Sequence, residues 1–495
     1  MSTTAQPPPQ EAVPRLDQGG RGGHPRGLNT LFFTEMWERF SYYGMRALLI
    51  LFMTAPAASG GMAMGVESAG RVYGLYTAAV YFAALPGGFL ADRFLGLRRA
   101  VFMGGVIIAA GHFSMAIPTR TTFYLGLGLI VLGTGLLKPN ISAMVGELYS
   151  KDDPRRDGGF SIYYMGINIG ALAAPLICGT LGQTVGWHWG FAAAGVGMVF
   201  GLIQYVVTGD RLGDAGLKRP KEISPDPTPA KKSPLGGLMW VGGLALIIAA
   251  LVLEISSLAR LGLLAVGSTS FIISLYIGQG FSAVEKRRAI SIFFLFWVAA
   301  LFWSGFEQAG SSLNLFADRR TDNSVVGADF PSTWYQSLNP LYIILLAPLF
   351  SMLWIRLGSR QPSSPIKFSL GLLFVGLGFG VMVLASQLTD GGQTLVSPGW
   401  LVMTYLLHTI GELCLSPVGL SVMTKLSPAR IVGQIMGVWF LAAAIGNYMG
   451  GEIATYFEAL PLPQLFGIVM LVNLGVAAFV FFMARPIERQ MGGVR

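Results

Sequence analysis

Charge is scarce in this chain. Of 495 residues only 12% are Asp, Glu, Lys or Arg, about half the share of a soluble globular domain. Cysteine is nearly absent: Cys178 and Cys414 both fall in apolar stretches, which fits two small buried residues and not a disulfide framework. The four histidines have no metal-ligand spacing, and His112 and His408 fall inside apolar runs, where hydrogen-bonded packing residues are expected. No nucleophile–base pair, metal cluster or nucleotide motif is present, and the Gly-rich stretches 126–135 and 371–380 lack a phosphate-loop pattern. These absences argue against an enzyme and against any metal or cofactor. Residues 1–26 lack an apolar core followed by a small-residue cleavage site, so they read as a disordered cytoplasmic tail and not a signal peptide.

What the chain has instead is apolar length. It is 53% hydrophobic, with a mean hydropathy of +0.58. Runs long enough to cross a bilayer lie near 28–55, 70–91, 98–117, 121–147, 158–183, 187–207, 235–254, 259–281, 289–316, 333–356, 366–387, 397–425, 430–456 and 463–484. Backbone groups in lipid must be satisfied within the segment, so runs of this kind are helices. The fold expected is an all-α polytopic membrane protein with about fourteen spans.

Lys and Arg concentrate in alternate loops: Arg93/Arg98/Arg99, Lys151/Arg155/Arg156, Lys218–Lys232, Lys286/Arg287/Arg288, Arg356/Arg360/Lys367, Lys425/Arg430 and Arg485/Arg489. The positive-inside rule makes that side cytoplasmic, together with both termini. The net charge of +9 is therefore a topology signal and not a nucleic-acid footprint. The motif Leu95-Gly96-Leu97-Arg98 has a counterpart in Leu357-Gly358-Ser359-Arg360, each in the basic loop after the second span of a six-span set. That supports two pseudo-symmetric bundles with a site between them. The domain reading is a tail over 1–26, an N-terminal six-helix bundle over 27–208, a linker and inserted helix pair over 209–288, a C-terminal six-helix bundle over 289–485, and a cytoplasmic tail over 486–495.

The first span is where charge stands out. Glu35, Glu38, Arg39 and Arg46 lie in one of the most apolar stretches of the chain. Each would cost roughly 2.5–3.5 kcal/mol if it faced lipid at mid-membrane. At about 100° per residue they share one helical stripe with Tyr42, and Tyr43 lies beside it. Buried carboxylates next to an arginine can bind or release a proton when a neighbour moves. Lys138 lies in the run Leu125–Met144 and needs a carboxylate from another helix or from a ligand. Glu307 and Glu412 occupy spans of the C-terminal half. A positive half formed by Arg39, Arg46 and Lys138 thus opposes a negative half formed by Glu307 and Glu412. That suits a zwitterionic solute, and it suits equally a gate of salt bridges between the halves. Asn168 and Asn339 are intramembrane amides able to bind a peptide unit. Tyr81, Trp303 and Trp439 are candidates to line an apolar pocket.

Glu35-Met36-Trp37-Glu38-Arg39-Phe40-Ser41-Tyr42-Tyr43-Gly44 resembles the ExxER signature of the proton-dependent oligopeptide transporters of the major facilitator superfamily. Gly87–Gly96, Phe160–Gly170, Gly135–Asn140, Phe306-Glu307-Gln308 and Gly411–Pro417 are similar to further signatures of that family. The resemblance spans residues 28–485, and the added central helix pair is similar to that of bacterial members. It implies symport of di- and tripeptides with protons by alternating access in the bacterial inner membrane, with the proton gradient as driving force; a monomer is expected. It also implies roles. Arg39, Arg46 and Lys138 would receive the peptide carboxylate or its surroundings, Glu412 the amino terminus, and Asn168 and Asn339 the backbone. Tyr42, Tyr43, Tyr81, Trp303 and Trp439 would shape side-chain pockets. Glu35, Glu38 and Arg39 would couple to protons, and Glu307 would pair with Arg46 as a gate and protonation site. Other readings of the same charges are a facilitator for nitrate, amino acids, sugars or drugs, and a sensor built on a transporter fold.

Overall fold

The helices follow the apolar runs closely. The computed structural model describes residues 23–150, 153–217, 233–253, 255–277, 280–325, 327–428 and 431–492. Most of the expected N-terminal tail and the lysine-rich part of the linker lie outside these residues. The first six helices are α1 (Gly27–Thr54), α2 (Val66–Leu90), α3 (Leu97–Met115), α4 (Arg120–Glu147), α5 (Arg156–Ala174) and α6 (Trp187–Val207). A hairpin follows, α7 (Pro234–Val252) and α8 (Ser257–Ser274). The rest of the chain forms α9 (Ala283–Phe306), α10 (Ser312–Arg320), α11 (Leu338–Leu357), α12 (Ser364–Gln387), α13 (Gly399–Leu426), α14 (Val432–Ala454) and α15 (Leu462–Met491). Among the described residues, 12 helical segments are long and apolar enough to cross a membrane. Two more helices of comparable length carry charge instead: the four ionised side chains of α1, and Arg98 and Arg99 in the first turn of α3.

Several boundaries differ from expectation, among them the start of α9 at Ala283 and not 289. The helix α8 stops at Ser274, short of residue 281. The last helix continues through Pro486 to Met491, because a proline in a long helix removes one hydrogen bond without obliging the chain to stop. The run 289–316 is two helices, α9 and α10, separated by a tighter turn over Glu307–Gly310.

Glycine decides how closely the helices approach. A Cβ on Gly104 would lie 2.6 Å from the Gly133 carbonyl oxygen, and one on Gly126 would lie 2.6 Å from that of Gly111, so α3 and α4 touch backbone to backbone. Gly243 and Gly267 do the same for α7 and α8. The two bundles meet along α2 and α14, where a Cβ on Gly451 would fall 2.3 Å from the Gly74 Cα. The hairpin is fastened to α14 through Glu452: Ser257 donates to its carboxylate at 2.5 Å, Tyr448 donates at 2.7 Å, and Arg260 lies at 3.4 Å.

Contacts between the bundles are concentrated on the face away from the chain termini. There Asn314 donates its amide to the Ala47 carbonyl at 2.9 Å, and Ser337 donates to that of Leu172 at 2.8 Å. On the terminal face a cavity of about 630 Å³ separates the start of α5 (Arg156, Asp157, Phe160) from the end of α13 (Leu420, Ser421, Thr424). The molecule is closed on one face and open on the other.

Candidate functional site

The charged stripe of α1 divides into two clusters. In the first, Arg39 sits between two carboxylates. Its Nε and Nη2 donate to Glu38, the latter at 2.6 Å, and Nε lies 3.4 Å from Glu35 Oε1. All three side chains are buried. Two carboxyl groups share one guanidinium, and the other oxygen of Glu35, Oε2, is buried with no hydrogen-bond partner. Such an atom is costly unless a proton or a moving donor reaches it.

Two turns further on, Arg46 pairs with Glu307 of the C-terminal bundle, both side chains buried. Its Nη2 also reaches the Glu307 carbonyl oxygen at 3.4 Å, and its Nε donates to the Tyr73 hydroxyl at 2.7 Å. Glu307 can reach Arg46 because α9 ends there in the tighter turn Glu307–Gly310. Gly310 leaves the room: a Cβ would sit 1.9 Å from the Tyr73 hydroxyl and 2.9 Å from Arg46 Nε. Tyr73 and Gly310 were not among the residues expected from the sequence. A tyrosine and a glycine in an apolar run carry no burial cost that would mark them.

Aromatic rings join the clusters. The Arg39 guanidinium lies 5.1 Å from the Tyr42 ring centre. The Tyr43 ring stands between both arginines, 6.0 Å from Arg39 and 5.8 Å from Arg46, within cation–π range. Of the two partners expected for Lys138, a carboxylate from another helix is not found within 4.0 Å among the described residues; its ammonium rests over the Tyr81 ring at 4.4 Å. A ring face compensates only part of a buried charge.

On the C-terminal side, Asn339 Nδ2 donates to Glu412 at 2.9 Å and to the Thr409 hydroxyl at 3.0 Å. Glu412 is buried and has no ion pair among the described residues. Trp303 packs on Phe302 and Phe306, with its indole N–H buried and unpartnered. Asn168 is buried, and its amide donates to the Tyr164 carbonyl of its own helix at 2.9 Å. Trp439 packs inside the C-terminal bundle on Phe368 and over Gly419. Its described contacts are with that bundle and not with the charged groups. Among the described residues no group of three His, Cys, Asp or Glu side chains could hold a metal ion.

Comparison with known proteins agrees with this architecture. The family model described as "POT family" matches residues 98–220 and 239–468. The chain is 43% identical to the peptide transporter YePEPT of Yersinia enterocolitica, covering 96% of this chain and 98% of that protein. It is 38% identical to a di-/tripeptide transporter of Lactococcus lactis subsp. cremoris, with 96% and 98% covered. The crystal structure of a peptide transporter POT in complex with sulfate superposes with a TM-score of 0.85 at 42% identity, covering 96% of this chain and 98% of that one. A family match over more than half of the chain and relatives of this identity over nearly its whole length lead to one conclusion: the chain belongs to the POT family of membrane transporters.

Proposed function

We propose that this chain is a proton-coupled symporter that brings di- and tripeptides into a bacterial cell by alternating access, with both termini in the cytoplasm. One observation carries the reading. Of the ionisable side chains between the bundles, Arg39 and Arg46 have carboxylate partners, whereas Lys138 and Glu412 have none among the described residues. The first is a cation on the N-terminal bundle and the second an anion on the C-terminal bundle. A solute that satisfies both is a zwitterion whose charged ends are separated, as in a short peptide. Its carboxylate lies toward Lys138, Arg39 and Arg46, its amino group toward Glu412 and Asn339, and its backbone within reach of Asn168. Tyr42, Tyr43, Tyr81 and Trp303 supply apolar surface, and Trp439 supports that wall from within its bundle. The names of the relatives support peptides as the solute.

Proton coupling follows from charge balance. The cluster Glu35–Arg39–Glu38 holds one excess negative charge, which a bound proton cancels. When Arg39 turns toward a peptide carboxylate, the two glutamates lose their cation and hold the proton more tightly. Movement of one charge across about 100 mV supplies roughly 2.3 kcal/mol, enough to hold about a 50-fold gradient of a neutral zwitterion. Glu307, bound to Arg46 between the bundles, serves as the gate and as a second site for a proton. On this reading the face closed in the structure is the periplasmic one, and the cavity between α5 and α13 opens to the cytoplasm.

Uptake of labelled dialanine into proteoliposomes, with and without an inward proton gradient, tests the proposal. Accumulation that requires the gradient and is competed by a tripeptide, but not by free alanine or nitrate, is the expected result. Accumulation blocked by nitrate or alanine would overturn the choice of solute. Substrate binding without accumulation would point to a sensor.

A further inference from the structure

Where the bundles meet on the face away from the termini, the wall of the N-terminal bundle changes geometry. Beyond Ala174, α5 continues as two π-helical turns, Pro175–Gly179 and Leu181–Val185. Pro175 has no N–H to continue the regular ladder, and a wider turn takes up the slack. Turns of this kind are rare in helices and cluster at working sites. Each turn here meets the short 3₁₀ helix Ser332–Ser337 of the C-terminal bundle. Gly179 allows the contact, because a Cβ there would lie 2.1 Å from the Thr333 hydroxyl.

Gln183, in the second turn, is bonded through both ends of its amide. Its Oε1 accepts from the Thr333 N–H at 3.1 Å and from the Thr333 hydroxyl at 2.9 Å. Its Nε2 donates to the Ser332 hydroxyl at 2.9 Å and lies 3.4 Å from Asp318 Oδ1, to which Ser332 also donates at 2.9 Å. Nearby, the Trp334 indole donates to Thr180 at 2.9 Å. A single half-buried side chain thus receives or makes four bonds, all of them to the opposite bundle.

We infer that Gln183 is a positioning residue of the transport cycle, a latch with no charge of its own that holds this face shut and lets go when the molecule opens toward it. The inference rests on the alternating-access reading above. Its chemistry differs from that of the Arg46–Glu307 pair. Separating a buried ion pair strands a charge on each bundle, whereas an amide and two hydroxyls exchange their partners for water at small net cost. At the rim such bonds can be broken in every turnover without a charge being stranded, whereas the deeper Arg46–Glu307 pair parts only when a proton or a substrate charge replaces its partner. The latch lies at the rim, where water can reach it, and the ion pair lies deeper, where water does not.

The test reads the opening directly. Ser59 and Gln393 are exposed, stand on this face and belong to opposite bundles. Spin labels on cysteines at these positions report the separation, since Cys178 and Cys414 are buried. Gln183→Ala should raise the ratio of the longer-distance to the shorter-distance population about tenfold over the labelled parent, the size expected from losing several neutral hydrogen bonds. Gln183→Glu places a second carboxylate against Asp318 and should open the face in the same way. The double variant Gln183→Glu with Asp318→Asn exchanges amide and carboxylate, so that position 318 donates where Gln183 did and position 183 accepts; it keeps a donor opposite each acceptor and should restore the parent distribution. A role in folding alone would lower thermal stability without moving the distance distribution. Parent-like distances in Gln183→Ala, or a double variant as open as Gln183→Glu, would overturn the inference. No substrate is involved, so this outcome is independent of whether peptides are the solute.

Discussion

Arg46 of α1 and Glu307 at the end of α9 form a buried ion pair across the bundle interface, and the Tyr73 hydroxyl of α2 accepts a third bond from the same guanidinium. Three helices from two bundles therefore converge on one cation. The neighbouring Arg39 cluster differs in kind, because all its members lie on α1. One cluster is broken when the bundles separate, and the other moves as a unit with its helix. On the proposed function, gating falls to the first and proton storage to the second.

Glu307→Gln should uncouple the gate. Removing one partner of a buried ion pair costs on the order of 3–5 kcal/mol, here borne by the state closed at this interface. Gradient-driven uptake of dialanine by the variant is expected to fall below about a tenth of the parent rate, a conservative reading of that cost. The protein should still elute as a single folded species. Parent-like uptake would remove Glu307 from the gate.

Tyr73 and Gly310 should prove as sensitive as the ion pair they flank. Tyr73→Phe deletes one hydrogen bond to a charged group, worth about 1.5–3 kcal/mol. Gly310→Ala introduces a methyl group 1.9 Å from the tyrosine oxygen and cannot be accommodated without displacing that ring. Both variants should slow uptake, Gly310→Ala more than Tyr73→Phe. A Gly310→Ala protein with the parent rate would show that the three-helix junction plays no part in turnover.

The contrast between Glu307 and Tyr73 shows what a sequence makes legible. A carboxylate or ammonium in an apolar helix advertises itself through its insertion cost, so Glu35, Glu38, Arg39, Arg46, Lys138, Glu307 and Glu412 could all be picked out, as could the helices around them. Tyr73, Gly310 and Gln183 carry no such signal. Their importance lies in which residue of another helix stands opposite, and single-chain periodicity does not encode that. The same limit applies to Lys138. Its cost predicted a carboxylate from another helix or from a ligand; within the chain its ammonium meets the Tyr81 ring, which is indistinguishable in sequence from any other buried aromatic. The break at Glu307–Gly310 was hidden because Phe302–Phe306 and Leu313–Phe316 are apolar enough to read as one run.

Glu35 should be separable from substrate binding. Its unpartnered Oε2 is the atom in the Arg39 cluster with room for a proton. Glu35→Gln fixes the neutral state, leaves Arg39 paired with Glu38 and removes the excess charge. Accumulation of dialanine driven by a proton gradient should be lost, whereas exchange of labelled for unlabelled dialanine across vesicles without a gradient should persist. Loss of both activities would make Glu35 a structural member of the cluster. Retention of driven accumulation would place the coupling proton elsewhere.

Lys138 and Glu412 allow the two ends of the substrate to be tested separately. If Lys138 receives the carboxylate, Lys138→Ala should weaken competition by dialanine roughly 10- to 100-fold, the range for losing a hydrogen bond to a charged group. A C-terminally amidated dipeptide has no carboxylate to lose, so its weak competition should scarcely change. If Glu412 receives the amino group, Glu412→Gln should behave in the complementary way, with dialanine weakened and the N-acetylated dipeptide unaffected. The pattern matters more than either loss alone. Two variants that each damage binding of all three ligands equally would be perturbing the cavity, whereas a crossed pattern requires that each charge meets one end of the peptide. Should the two variants show the reverse assignment, the peptide would lie the other way round between the bundles, and Arg39 and Arg46 would no longer be available to its carboxylate.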